Sequence, residues 1–219
     1  MGTITRTFAN NITTSGVFKP TAFNNASFDN VTAVPEGVIE GGSMVLLSTQ
    51  TASASASISF TTGIDSTYKE YMFIFNNIHP ATDGTSLQFN LSTDSGSNYN
   101  VTKTSSSFRA IHNESDSSTD LSYVTAHDLA QETGYQILAI PVGSDADQTA
   151  SGYFHLFEPS STTFVKHFIS NFNNYSNSDY SVNDYIAGYA NTTSAINAID
   201  FKFASGNIDA GTIQMFGIL

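Results

Sequence analysis

Apolar residues recur at every second position in short runs, and the runs are separated by clusters of Gly, Asn, Asp, Ser and Thr. That rhythm places alternate side chains on opposite faces of a pleated strand and predicts β-structure throughout. Met44-Val45-Leu46-Leu47 opens the pattern, and residues 55–60 alternate small and apolar side chains. Residues 68–78 (YKEYMFIFNNI) are the most apolar run and are expected at the centre of a sheet. His79-Pro80-Ala81-Thr82-Asp83-Gly84 should end that strand, because Pro has no N–H for a ladder and Asp-Gly favours a turn. Residues 87–91 alternate cleanly, and a turn at 93–98 leads into 99–104, which predicts a β-hairpin. Further strands are expected at 135–142, 150–157, 163–172, 182–190 and 198–203. At the end of the chain, residues 200–204 and 212–218 flank a Gly, Asn and Asp-rich segment. They read as a closing hairpin that buries Phe201, Phe203, Ile213 and Met215 against earlier strands.

Residues 105–134 follow no single period. Residues 108–111 extend a strand, 112–120 read as an acidic polar loop, and Ala126 to Glu132 suit one or two helical turns before Gly134. So long a connection is expected as an excursion from one end of a sandwich. With about ten strands and no fixed-period repeat, the expectation is an all-β fold. It takes the form of a two-sheet antiparallel sandwich of jelly-roll type with an extended N-terminal arm.

The arm, residues 1–41, differs from residues 43–219. Phe8, Phe18, Phe23 and Phe28 are spaced through a Thr and Asn background that offers no core of its own. Pro35-Glu36-Gly37 and Gly41-Gly42 read as a linker. Those four rings are therefore expected at an assembly interface, with copies of the chain or with another protein. The alternative is an arm folded over its own domain.

Composition narrows the partners. Nineteen acidic residues against 7 basic ones give a formal charge of -12, which repels a phosphate backbone and excludes nucleic acid as the natural partner. Charged residues are only 12% of the chain, about half the usual ~25%. Ser, Thr and Asn take their place, suiting strand surfaces and lowering helix propensity. No run approaches the ~18 apolar residues of a membrane span, and the first residues lack the apolar core of a secretory signal. Cys is absent, so no disulfide braces the fold.

No pattern for nucleophilic catalysis, phosphate cradling or dinucleotide binding is present. None of His79, His112, His127, His155 and His167 has metal-ligand spacing, and His155 and His167 read as satisfied histidines on sheet faces. No cofactor or metal is expected. The acidic stretch 113–120 has oxygen donors suited to Ca²⁺ but lacks EF-hand periodicity, so it reads as a solvated loop. Asp128 with Glu132, or Asp145 with Asp147, are the carboxylate pairs a glycosidase would need, yet any acidic chain offers such pairs. The expectation is a protein that is not an enzyme. Tyr175, Tyr180, Tyr185 and Tyr189 are more suggestive. Asn174, Tyr175, Asp179 and Tyr180 combine aromatic faces with amide and carboxylate groups, the mixture that grips a sugar or a protein surface. Loop anchoring is the competing reading.

Three stretches carry a resemblance: residues 47–68 (LSTQTASASASISFTTGIDSTY), residues 76–82 (NNIHPAT) and residues 206–213 (GNIDAGTI). They resemble a family of virion-associated proteins of tailed phages, especially those infecting marine bacteria and cyanobacteria. Asn11-Ile12-Thr13-Thr14-Ser15-Gly16-Val17-Phe18 is similar to opening segments of fibre proteins. The resemblance implies a virion structural protein made in the bacterial cytoplasm, most simply a tail-fibre or tail-associated component. It also implies contact with other tail or capsid proteins and a distal domain facing the host. The exposed-aromatic arm adds the expectation of a homotrimer, since symmetric oligomers are the usual solution for such arms, and the tyrosine region that of host surface glycan. A capsid decoration or cement protein is the alternative, followed by a polysaccharide depolymerase or a carbohydrate-binding module.

Overall fold

The computed structural model describes residues 44–219. The expected arm and its interface residues Phe8, Phe18, Phe23 and Phe28 lie outside the described residues. The strands are β1 (Met44–Thr51), β2 (Ile58–Phe60), β3 (Glu70–Pro80), β4 (Thr85–Ser92), β5 (Lys103–Asn113), β6 (Thr119–Tyr123), β7 (Ala130–Glu132), β8 (Gln136–Val142), β9 (Ala150–Phe157), β10 (Lys166–Tyr175), β11 (Tyr180–Ala190), β12 (Ala198–Phe203) and β13 (Ile208–Ile218). They form two antiparallel sheets. The larger has nine strands in the order β1-β13-β3-β9-β10-β11-β5-β6, with β7 on the same edge of β5 as β6; the smaller has the order β2-β12-β4-β8. The all-β sandwich is therefore present. The pairing order establishes its two antiparallel layers.

Alternation along the chain becomes alternation of burial. On β3, Tyr71, Phe73 and Phe75 face inward and are at most 1% exposed, while Met72 and Ile74 are half-buried on the other face. The core is an aromatic seam between the layers. Phe201 of the small sheet meets Phe73 and Phe75 of the large one edge-on, at 5.5 and 4.9 Å between ring centroids, and Phe89 meets Phe154 and Phe168 at 4.6 and 5.1 Å. Edge-to-face packing suits rings with a negative face and a positive rim. Phe203, Ile213 and Met215 join this core, as expected.

Three local expectations are corrected. Residues 200–204 and 212–218 do not pair: β12 belongs to the small sheet and β13 to the large one, so the turn between them passes from layer to layer. The same holds for 87–91 and 99–104. β4 lies in the small sheet, and the chain reaches the large sheet only at Lys103, through the turn that Asp94 organises by accepting from Asn98 N and Asn98 Nδ2. Alternation shows which face a residue takes, not which layer its strand joins. Residues 105–134 hold no helix: β5 and β6 make a hairpin around Asn113, and 130–132 is a short edge strand. Asn113 closes that turn with its own side chain, accepting from Ser117 N and Ser118 N at 2.9 and 2.8 Å. With β6 and β7 the strand count among the described residues reaches thirteen rather than about ten. The most apolar run is an interior strand, as expected, flanked by β13 and β9 and ending at Pro80.

Candidate functional site

The small sheet covers one side of the large sheet, and among the described residues nothing covers the other side. Its register aligns one row of outward side chains across eight strands: Tyr123, Phe108, Tyr185, Asn171, Tyr153, Ile74, Gln214 and Thr49. A parallel row runs through Ser106, Ala187, Ile169, His155, Met72, Phe216 and Leu46. Exposed rings in the first row include Tyr123 at 55%, Phe108 at 46% and Tyr185 at 37%. A solvated sheet face ordinarily carries polar and charged residues, whereas this one carries exposed rings.

Two aromatic ridges frame this face. Phe108 and Tyr185, cross-strand neighbours on β5 and β11, stack with centroids 4.8 Å apart and planes 4° from parallel. Tyr153 meets the His155 ring edge-on at 5.3 Å, and Glu70 accepts a hydrogen bond at His155 Nδ1. Between the ridges lie Ile169 and Asn171 of β10. Asn171 Nδ2 donates to Asn183 Oδ1 at 2.6 Å, and Asn183 Nδ2 to Tyr185 Oη at 3.3 Å, so the amides are held in place. Beside the stacked pair, the small side chain of Ala187 leaves a depression of about 520 Å³ that includes Thr104, Ser106, His167, Ile169 and Tyr189. Tyr189 and His167 are cross-strand partners with centroids 6.2 Å apart.

The charge on this face is unusual for so acidic a chain. The outward positions of β5, β9, β10 and β11 include no Asp, Glu, Lys or Arg. Hydroxyl, amide, imidazole and ring groups fill them, which suits an uncharged partner recognised by stacking and hydrogen bonds.

The sequence-predicted tyrosine site is divided by the same alternation. Tyr175 ends β10 on the outer face, beside Asn173, in a shallow depression with His112, Asn113 and Glu114. Its hydroxyl pKa is pushed up to about 12, first by the neighbouring Glu114 side chain, with burial and the nearby carboxylate charges adding to it. Tyr185 and Tyr189 share this outer face. Tyr180 starts β11 at a position of the opposite facing, in step with Val182 and Asp184. Asn174 is turned inward: it is 1% exposed, and its Nδ2 donates to the Pro141 carbonyl at 2.5 Å. Asp179 sits in the tight turn between β10 and β11, with positive φ and its carboxylate 3.4 Å from Tyr175 Oη. The four residues thus form a hairpin end, not one platform. Phe108, Tyr123, Tyr153 and Asn171 were missed, because only the cross-strand register brings them into line.

Other sequence candidates are occupied structurally. His112 Nε2 lies 3.0 Å from Asp116 within the 113–120 turn, and His79 Nδ1 lies 2.8 Å from the Gln148 carbonyl. Tyr123 Oη donates to Asp128 at 2.5 Å. Among the described residues, no three His, Asp or Glu side chains converge as metal ligands. Comparison with protein-family models, curated proteins and solved structures gave no match.

Proposed function

We propose that this chain is a structural, non-enzymatic protein of a tailed-phage virion, a tail-fibre or tail-associated component whose open sheet face binds uncharged glycan of the host surface. The observation that carries the binding role is the charge-free outer face of β5, β9, β10 and β11, with its Ala187 depression between the Phe108–Tyr185 stack and the Tyr189–His167 pair. A chain of -12 with 19 acidic residues keeps all of them off the outward positions of those four strands. Neutral saccharide fits such a surface; an anionic polymer would meet the field of the whole protein. The row from Tyr123 to Tyr153 crosses four strand spacings, about 19 Å, room for several units of an extended polymer. The virion assignment rests on the segments 47–68, 76–82 and 206–213 and their likeness to phage particle proteins. A homotrimer joined through Phe8, Phe18, Phe23 and Phe28 belongs to the same reading, and three copies would multiply a weak affinity by avidity.

Retention of the full chain on insoluble neutral polysaccharides (glucan, galactan and mannan) tests the binding role. Retention should be lost in Tyr185→Ala and in Ala187→Phe, which fills the depression, with unfolding midpoints held near the parent value. If the parent protein is retained on none of the three, or if both variants are retained like the parent, the glycan role is refuted. Immunogold labelling of purified particles tests the virion assignment separately.

A further inference from the structure

Away from the open face, Lys103 and Asn90 meet in the interior. Lys103 is the first residue of β5 in the large sheet, Asn90 lies on β4 in the small one, and both are 0% exposed. Lys103 Nζ donates to Asn90 Oδ1 at 2.6 Å and to the Val101 carbonyl at 2.7 Å. Its partners are neutral oxygens, and no carboxylate among the described residues pairs with it. An unpaired ammonium is costly in such a place. Burial accordingly draws the Lys103 pKa down to about 7, so a large fraction of the amine carries a free lone pair at neutral pH.

The Asn90 amide is held from both ends. Its Oδ1 also accepts from Leu91 N at 2.9 Å, a donor that stays on the oxygen where negative charge would develop once Nζ attacks. Its Nδ2 donates to the Tyr99 and Thr133 carbonyls at 2.7 and 2.9 Å, which fixes the amide plane. Directly across the ladder on β12 stands Asp200, on the same face of the small sheet as Asn90 and 3% exposed. Ser59 Oγ and Tyr135 Oη donate to the Asp200 carboxylate at 2.5 and 2.9 Å. Cross-strand partners have Cβ atoms roughly 5 Å apart, which makes the Asp200 carboxyl group a neighbour of the Asn90 amide.

We propose that Lys103 and Asn90 join in an intramolecular isopeptide bond that ties the two sheets together. The Nζ lone pair attacks Asn90 Cγ, and the carbonyl π pair moves to Oδ1 under the Leu91 N–H. Nζ gives up a proton, relayed by the Asp200 carboxyl group to Nδ2. The Cγ–Nδ2 bond then breaks, the carbonyl re-forms and ammonia leaves. Amine plus primary amide becomes secondary amide plus ammonia, and neither oxidant nor cofactor is consumed. Proximity and exclusion of water supply the acceleration that a free amine and amide lack. In a chain with no Cys, such a bond would do what a disulfide does elsewhere: residues 91–102 would be bypassed by tension along the chain. The bond would stand whatever the open face binds.

Intact mass spectrometry of the purified full chain decides it. The expected mass is that of the sequence less one ammonia, and Lys103→Arg should restore the full mass. Trypsin should fail to cut after Lys103. Chymotrypsin, cutting between the two residues at Tyr99, should release a branched peptide that carries both. A parent protein at full sequence mass overturns the proposal, and so does an ammonia loss with residues 90 and 103 in linear peptides. If Lys103→Arg does not fold, the parent's mass and peptides still give the answer. Asp200→Asn, checked for an intact fold by circular dichroism, should leave a large uncross-linked fraction; complete cross-linking in that variant removes Asp200 as the relay.

Discussion

Asp184 gives the most direct test of the interior. It lies on the inner face of β11, 0% exposed, opposite Arg109 of β5. Its Oδ2 accepts from Ile140 N at 3.1 Å, whereas Oδ1 has no partner among the described residues, and neither has the buried Nε of Arg109. Burial pushes the Asp184 pKa from 3.8 up to about 7, against the smaller opposing effects of the Ile140 hydrogen bond and the Arg109 charge. The group is therefore protonated in the fold through a range where the unfolded chain has already released its proton. Where the unfolded state binds fewer protons, stability falls as pH rises. The stabilisation is complete below 3.8 and is lost progressively up to about pH 7. About three pK units correspond to on the order of 4 kcal/mol.

One neighbour complicates the raw profile. His127 faces the same inner region from the segment after β6, and its pKa is lowered first by burial and then by Arg109. It acts in the other direction, losing stability as pH falls through its folded value. Comparison with Asp184→Asn removes that contribution, since the variant keeps His127 and Arg109. Urea unfolding of both proteins at several values between about pH 4 and pH 8 supplies the difference. The Asp184→Asn variant should gain on the parent steadily, by about 4 kcal/mol across the window, and then level off. Parallel curves over the whole window would falsify the assignment and mean that Arg109 keeps the carboxylate ionised inside the fold.

Two further substitutions probe the layers. Phe201→Ala removes the ring that meets Phe60, Phe73, Phe75 and Phe154 and should cost about 3–5 kcal/mol in denaturant unfolding. Gly188→Ala would place a methyl group 2.4 Å from the Thr104 carbonyl and 2.7 Å from Phe168 Cζ. Backbone cannot yield cheaply there, so a loss of about 1–3 kcal/mol is expected, again read from unfolding midpoints.

Strand existence and facing were legible in the sequence because period two is imposed locally by the pleat. The expected strand at 150–157 and that at 198–203 match β9 and β12 in extent, and the scaffold roles of Phe201, Phe203, Ile213 and Met215 hold. Layer membership was not legible. The Gly-rich segment before β13 carries turn residues that serve an inter-sheet crossing as well as a hairpin, and nothing local distinguishes the two. The 93–98 turn misleads in the same way, since Asp94 and Asn98 close it identically whichever sheet receives the chain next. Residues 126–132 read as helical from their composition, but tertiary pairing decides: Lys103 and Thr104 take Glu132 and Ala130 as ladder partners.

The candidate site was visible only in part for a related reason. Tyr185 and Tyr189 drew attention as tyrosines in a hydroxyl-rich run, and their spacing of four puts them on one strand face. Tyr175 and Tyr180 are separated by an odd number of positions across a tight turn, and the hairpin's pleat sends them to opposite faces. Phe108 and Tyr123 come from a segment with no regular period, and Tyr153 lies 45 residues beyond Phe108 in the chain, so only the ladder reveals their alignment. The absence of charge on that face was hidden as well. In sequence, Asp184 sits beside Tyr185 and Arg109 beside Phe108, and both pairs look charged; in the sheet, each charge turns inward and each ring outward. The same alternation thus gives the open face its neutrality and leaves the interior with the buried ionisable groups, of which the Asp184 experiment measures one.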